Sequence, residues 1–140
     1  MASGLHLQHI KTVHDYYIAN ASITPKLAPM ATSYTPNFGT DSYYSDISAS
    51  LASGASLITL ASFSVNIDTG NARVEFDAAD ISEASQTFTT DKFSIIYDTG
   101  VAATSPVVCT IDFTEGTLSP VDGTFAITVN AEGFFAINDN

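Results

Sequence analysis

Two alternating runs flank a short turn near the middle of this chain. Phe63, Val65 and Ile67 alternate with Ser64 and Asn66; after Asp68-Thr69-Gly70-Asn71, Ala72, Val74 and Phe76 alternate with Arg73, Glu75 and Asp77. A period of two is the signature of a half-buried strand, and a Gly- and Asn-containing turn between two such runs predicts a β-hairpin. An isolated hairpin is marginal in water, so its apolar face requires further strands. Candidates follow at Phe93–Tyr97, Val107–Phe113, Thr124–Val129 and Phe134–Ile137. Turn residues separate them at Asp98-Thr99-Gly100, Glu115-Gly116, Val121-Asp122-Gly123 and Glu132-Gly133. Short strands at this spacing predict an all-β fold, an antiparallel sandwich or barrel-like domain. Its inward-facing set is expected to include Phe63, Val65, Val74, Phe76, Ile95, Val108, Ile111, Phe125 and Ile127. A slip of one residue would exchange the two faces of any one strand.

The N-terminal third reads differently. Leu7, Ile10, Val13 and Tyr17 recur every three or four residues, the stripe of a short amphipathic helix. An isolated helix of this length is marginal, so the stripe must pack on its own sheet, on a sister subunit or on a larger assembly. Residues 1–20 hold one acidic and one basic residue, on a chain whose formal charge is −11. A nearly neutral arm on an acidic body suits a contact segment, and Leu7, Ile10, Val13 and Tyr17 are the expected assembly contacts. The chain then divides into an arm, residues 1–20, and one β domain, residues 21–140. Pro25 and Pro29 predict no more than an edge strand or an extended connector over 23–30, because proline cannot donate to a ladder. Tyr34-Thr35-Pro36-Asn37 reads as a turn, and Asp41 as the cap of a short helix over Ser42–Ala49.

Charge narrows the function classes. Fifteen acidic residues against four basic ones disfavour nucleic acid and anionic membrane surfaces as partners. No apolar run reaches the roughly 18 residues of a membrane span, and no membrane association is expected. Polarity comes instead from 17 Thr and 16 Ser, which with the Phe and Tyr content favours strands. The single Cys109 rules out an intrachain disulfide framework and a multi-cysteine zinc site; within its alternating run it reads as a buried structural thiol.

No catalytic or metal constellation stands out. His6, His9 and His14 lack a carboxylate or Cys at ligand spacing and read as surface histidines. Asp68, Asp77, Asp80 and Glu83 cluster around a strand without the twelve-residue calcium loop, and read as a solvated loop face. No Gly-x-Ser-x-Gly elbow or phosphate-cradling loop occurs. No metal, cofactor or enzymatic activity is expected. Tyr43 and Tyr44 could stack on sugar rings, the basis of an alternative reading as a receptor- or glycan-binding module of a head or tail fibre.

From Tyr34 onward the order of motifs resembles a family of small bacteriophage virion structural proteins. The resemblance is carried by Tyr34-Thr35-Pro36-Asn37, Ser45-Asp46-Ile47, Glu75-Phe76-Asp77-Ala78 and Ile95-Ile96-Tyr97-Asp98-Thr99-Gly100. It continues through Ala103-Thr104-Ser105-Pro106, Ile111-Asp112-Phe113, Asp122-Gly123-Thr124-Phe125-Ala126-Ile127 and Glu132-Gly133-Phe134-Phe135. It covers about three quarters of the chain and rests on the ordered series, since no single piece is specific. The sequence departs from the family pattern at Pro25 and Pro29. The resemblance implies a non-enzymatic capsid decoration or cement protein on the outer surface of the virion. Its partner would be the major capsid protein, and it would act as a homo-oligomer for which a trimer is one fit.

Overall fold

A computed structural model describes residues 6–138, and their architecture is mainly antiparallel β. Helix α1 (Leu7–Ala19) leads into β1 (Thr24–Met30) and a short helix α2 (Tyr44–Ile47), which continues as a 3-10 turn over Ser48–Ser50. Strands β2 (Ile58–Thr59), β3 (Ser64–Asp68), β4 (Arg73–Asp77), β5 (Ile81–Gln86) and β6 (Lys92–Asp98) follow. After a second 3-10 turn at Ala102–Thr104 come β7 (Val107–Asp112), β8 (Gly123–Ile127) and β9 (Phe135–Asn138).

The strands form a four-stranded sheet in the order β2-β1-β6-β7, a three-stranded sheet β3-β4-β9 and a two-stranded ribbon β5-β8. Residues from all three share one main core: Leu27, Ile95 and Tyr97 from the first, Val65, Val74 and Phe76 from the second, Ile81 and Phe125 from the third. The expected inward set is therefore found in this core, with Val108, Ile111 and Ile127 packed at its margin and only partly buried. Each fully buried side chain of this size contributes about 1.5–3 kcal/mol through removal from water.

The β3–β4 hairpin forms in the register that the alternation predicts, with Val65 opposite Phe76 and Ile67 opposite Val74. Asp68 stabilises the turn by accepting hydrogen bonds from the peptide N–H groups of Gly70 and Asn71. Strand β9 extends this sheet, and Phe135 stacks on Phe76 with ring centroids 4.1 Å apart.

Strand β1 corrects the reading of residues 23–30 as an edge or connector. All seven of its residues pair with β6, and Lys26 and Leu27 also pair with β2. The prolines are accommodated by direction. The carbonyls of Pro25 and Pro29 accept from the N–H of Leu60 and Ala52, so the backbone edges of both residues face away from β6. Along that edge β1 meets β2 at Lys26 and Leu27 and bridges Leu51 at Met30, and both prolines take part through their carbonyls alone, so their missing N–H groups leave the β6 ladder intact.

The four-stranded sheet is covered on both faces. On the side away from the main core, Ala28, Met30 and Ile96 form a second cluster with Ile47 of α2. This explains why every residue of β6 from Lys92 to Tyr97 is buried. A strand buried on both faces loses the alternation of a half-exposed one. Asp41 does not cap α2. Its carboxylate instead accepts from the Tyr34 hydroxyl at 2.7 Å and the Asn37 N–H at 2.8 Å, closing the 34–41 loop. Asp46 takes the capping role, accepting from the N–H groups of Ser42 and Tyr43.

Candidate interaction surface

Three of the four arm residues singled out as assembly contacts, Leu7, Ile10 and Tyr17, pack against the main core of the same chain. Tyr17 stacks on Tyr97 at 5.2 Å between ring centroids. Val13 is 42% exposed, and Tyr16 beside it 73%. The exposed large apolar side chains of α1 are thus Val13 and Tyr16, while the rest of the stripe seals the edge of the fold.

The histidines separate in the same way. His6 and His9 are exposed, but His14 is half-buried and does not fit the surface reading. Its Nδ1 lies 2.7 Å from the Tyr97 hydroxyl, and its ring meets Phe76 edge-on at 4.6 Å. Burial holds the imidazole below its usual 6.5, partly opposed by Asp15, and burial likewise raises the Tyr97 phenol well above its usual range.

The carboxylates expected on one solvated loop have separate structural roles. Asp68 closes the hairpin turn, Asp77 accepts from the Ala78 N–H, and Asp80 accepts from the Val129 N–H at 2.8 Å. Glu83 lies within β5, a strand with no alternating apolar pattern to announce it. Among the described residues no three His, Cys, Asp or Glu side chains converge as a metal site would require. Cys109 packs against the main core, and burial pushes its thiol up to about 12.

Every Lys and Arg of the chain is engaged by a carboxylate. Lys11 pairs with Asp15, Lys26 with Asp98 at 2.7 Å, and Lys92 with its neighbour Asp91. Arg73 gathers Asp68, Glu75 and Glu132. Among the described residues, Asp112 has neither an ion-pair nor a hydrogen-bond partner.

The surface that departs most from an ordinary solvated one runs along β7, the outer strand of the four-stranded sheet. The 34–41 loop stands over one face of this strand, and Phe38 at its tip is 84% exposed. Tyr34, Pro36 and Phe38 line two adjoining cavities there, of about 120 and 400 Å³, floored by Val107–Thr110 and by Thr110 and Asp112. Burial, together with its bond to Asp41, pushes the Tyr34 hydroxyl up to about 12. No periodicity announces Phe38, because an exposed aromatic on a loop leaves no pattern behind. The tyrosines considered for sugar stacking do not form a platform: Tyr43 is 45% exposed, whereas Tyr44 packs against the second cluster.

No family model, curated protein or solved structure matches this chain.

Proposed function

We propose that this protein is a non-enzymatic structural component that works through protein–protein contacts, as a capsid decoration or cement protein does on the outer lattice of a phage head. The reading is carried by one observation: Phe38 stands 84% exposed above the outer strand of a sheet. An exposed aromatic beside proline and tyrosine is the composition of a protein contact rather than of a solvated loop. Charge supports the same reading, since no Lys or Arg is left free to hold a phosphate backbone. The virion setting rests on the resemblance of the motif series from Tyr34 onward, and with it go the major capsid protein as proposed partner and a homo-oligomer as proposed working form.

The glycan-binding alternative has less support, because one half-exposed tyrosine, Tyr43, replaces the expected pair. Quantifying the chain in purified particles, with a density map of the intact virion, tests the proposal. Capsid-wide copy number with density on the outer lattice is the expected result. Density confined to a fibre would favour the alternative, and absence from particles would overturn the virion assignment.

A further inference from the structure

Among the described residues, no strand pairs with the outer edge of β7 over its second half. Its first residues are covered, since Val107 donates to the Ser42 carbonyl and Ser42–Tyr44 bridges Ser105–Val107. Beyond that point the cover ends. Phe113 donates to the Asp91 carbonyl, so odd-numbered residues there turn their peptide groups toward β6. By the alternation of an extended strand, Thr110 and Asp112 turn theirs outward. A row of unsatisfied N–H and C=O groups is a template for an added strand, and native edges are often guarded by Lys or Pro. Neither residue type occurs in Val107–Asp112.

Each face of that edge borders a cavity. On one side lie the cavities beneath Phe38. On the other, a cavity of about 270 Å³ separates the end of β7 from β8, with apolar walls from Ile111, Phe113, Ile127 and Phe134. An added strand would therefore send alternate side chains into an apolar slot and onto a loop-covered shelf. The shelf carries two carboxylates, Asp41 among the residues that line it with Val107–Thr110 and Asp112 just beyond Thr110. Lys92 also lines it, but that ammonium is held by Asp91 and the Thr32 carbonyl.

We propose that the open edge of β7 receives an extended segment of a partner protein as an additional strand. That segment would be apolar on one face and carry Lys or Arg on the other. The observations select the occupant. The backbone edge asks for a strand, the slot asks for apolar residues at alternate positions, and the two carboxylates ask for cations. Asp41, bonded to Tyr34, and Asp112 both lie on the face of β7 that Thr110 presents to the shelf, so the cations belong on the shelf-side face of the added strand, which its alternate residues share. A second copy of this chain fits less well, because all four of its Lys and Arg side chains are already paired. This inference names the partner chemistry of the contact surface proposed above and rests on that reading.

The test uses the full chain and a synthetic peptide with the repeat Lys-Val-Thr-Val-Lys-Val, capped at both ends, beside a control in which glutamate replaces both lysines. Amide hydrogen exchange and chemical-shift mapping on the unaltered protein are the primary readouts, so no variant needs to fold. The lysine peptide should slow exchange at Thr110 and Asp112 and shift Phe38 and Ile127, while the glutamate peptide should not. Asp112→Asn should weaken binding about two- to fivefold, the range of an exposed ion pair. Asp112→Pro removes an outward N–H and should abolish the protection with the native fold retained, as its near-UV spectrum would show. Equal effects of the two peptides, or protection elsewhere, would overturn the proposal. So would a concentration-dependent dimer in sedimentation that buries the same amides. These results leave the particle location untouched, so the strand-edge inference can fail while the virion assignment stands.

Discussion

Nδ1 of His14 lies 2.7 Å from the phenol oxygen of Tyr97, tying the amphipathic helix to the most buried strand of the fold. The contact spans 83 positions of sequence, and it explains how a helix with little apolar surface is held in one orientation. Tyr17 stacks on the same Tyr97 ring, so one phenol carries two attachments of α1. Replacing it as Tyr97→Phe keeps the ring and removes the hydroxyl. The expected cost is about 1 kcal/mol, the net worth of a typical hydrogen bond, read from urea unfolding. An unchanged midpoint would mean that the ring alone docks the helix.

The same pair makes stability depend on pH. An unfolded histidine binds its proton near 6.5, whereas burial lowers the folded value for His14. The unfolded chain therefore takes up the proton first as pH falls. Stability from this site is complete above about pH 6.5 and declines below it, levelling off once the folded imidazole is also protonated. Unfolding measured between pH 7.5 and 5.5 should show this slope in the natural chain and a smaller one in His14→Gln. Equal slopes would place the pH response elsewhere.

How far the fold is legible in the sequence follows from where each residue gets its partner. The β3–β4 hairpin is readable because Val65, Val74 and Phe76 alternate with polar neighbours and Asp68 satisfies the turn locally. Strand β5 is not: Ile-Ser-Glu-Ala-Ser-Gln has one buried residue, a register shift between Glu83 and Gln86, and a positive φ at Ser85. Its pairing is decided by β8, about 40 residues away. Strand β1 is hidden by Pro25 and Pro29, whose permissibility depends on which edge faces β6. The stripe of α1 is readable, but its target is not, since Leu7 and Tyr17 would look the same against a sister subunit. The surface around β7 leaves almost no trace, because an unpaired edge is defined by what lies beside it.

Truncation distinguishes the two uses of that stripe. Leu7, Ile10, Tyr17 and Ile18 all pack on the main core, so removing residues 1–20 exposes apolar surface that the domain needs covered. The expected result is a large loss of thermal stability. The single change Ile10→Ala should cost about 1–3 kcal/mol, below the full core range because the residue is only partly buried. By contrast, Tyr16→Ser should leave stability within about 0.5 kcal/mol, as for most exposed positions. A truncated chain that stayed folded while losing oligomerisation would return the arm to an assembly role.

Cys109 should be chemically silent while the chain is folded. Its side chain packs on the main core and its thiol is pushed up to about 12, so little thiolate is present at pH 8. Labelling with an aromatic disulfide reagent should be slow in buffer and complete within minutes in denaturant. Rapid native labelling would show that β7 opens at its edge.

Two glycines with nearly the same backbone angle separate strain from collision. Gly100 has φ +82° and open space where a Cβ would stand, whereas at Gly133, φ +88°, a Cβ would lie 2.2 Å from the Phe76 carbonyl oxygen. Gly133 also precedes Phe134, whose N–H donates to that same carbonyl at 2.7 Å and fixes the approach of β9 to β4. The atom in the way is backbone, so no rotamer change relieves it. Gly100→Ala should cost about 1–2 kcal/mol, the penalty for a left-handed residue with a side chain. Gly133→Ala carries that penalty and must also push β9 away from Phe76, weakening the Phe76–Phe135 stack. Its thermal midpoint should fall well below that of Gly100→Ala, with near-UV changes from the phenylalanines. Equal midpoints for the two variants would show that β9 can retreat without loss, and that its pairing with β4 contributes little to holding the core.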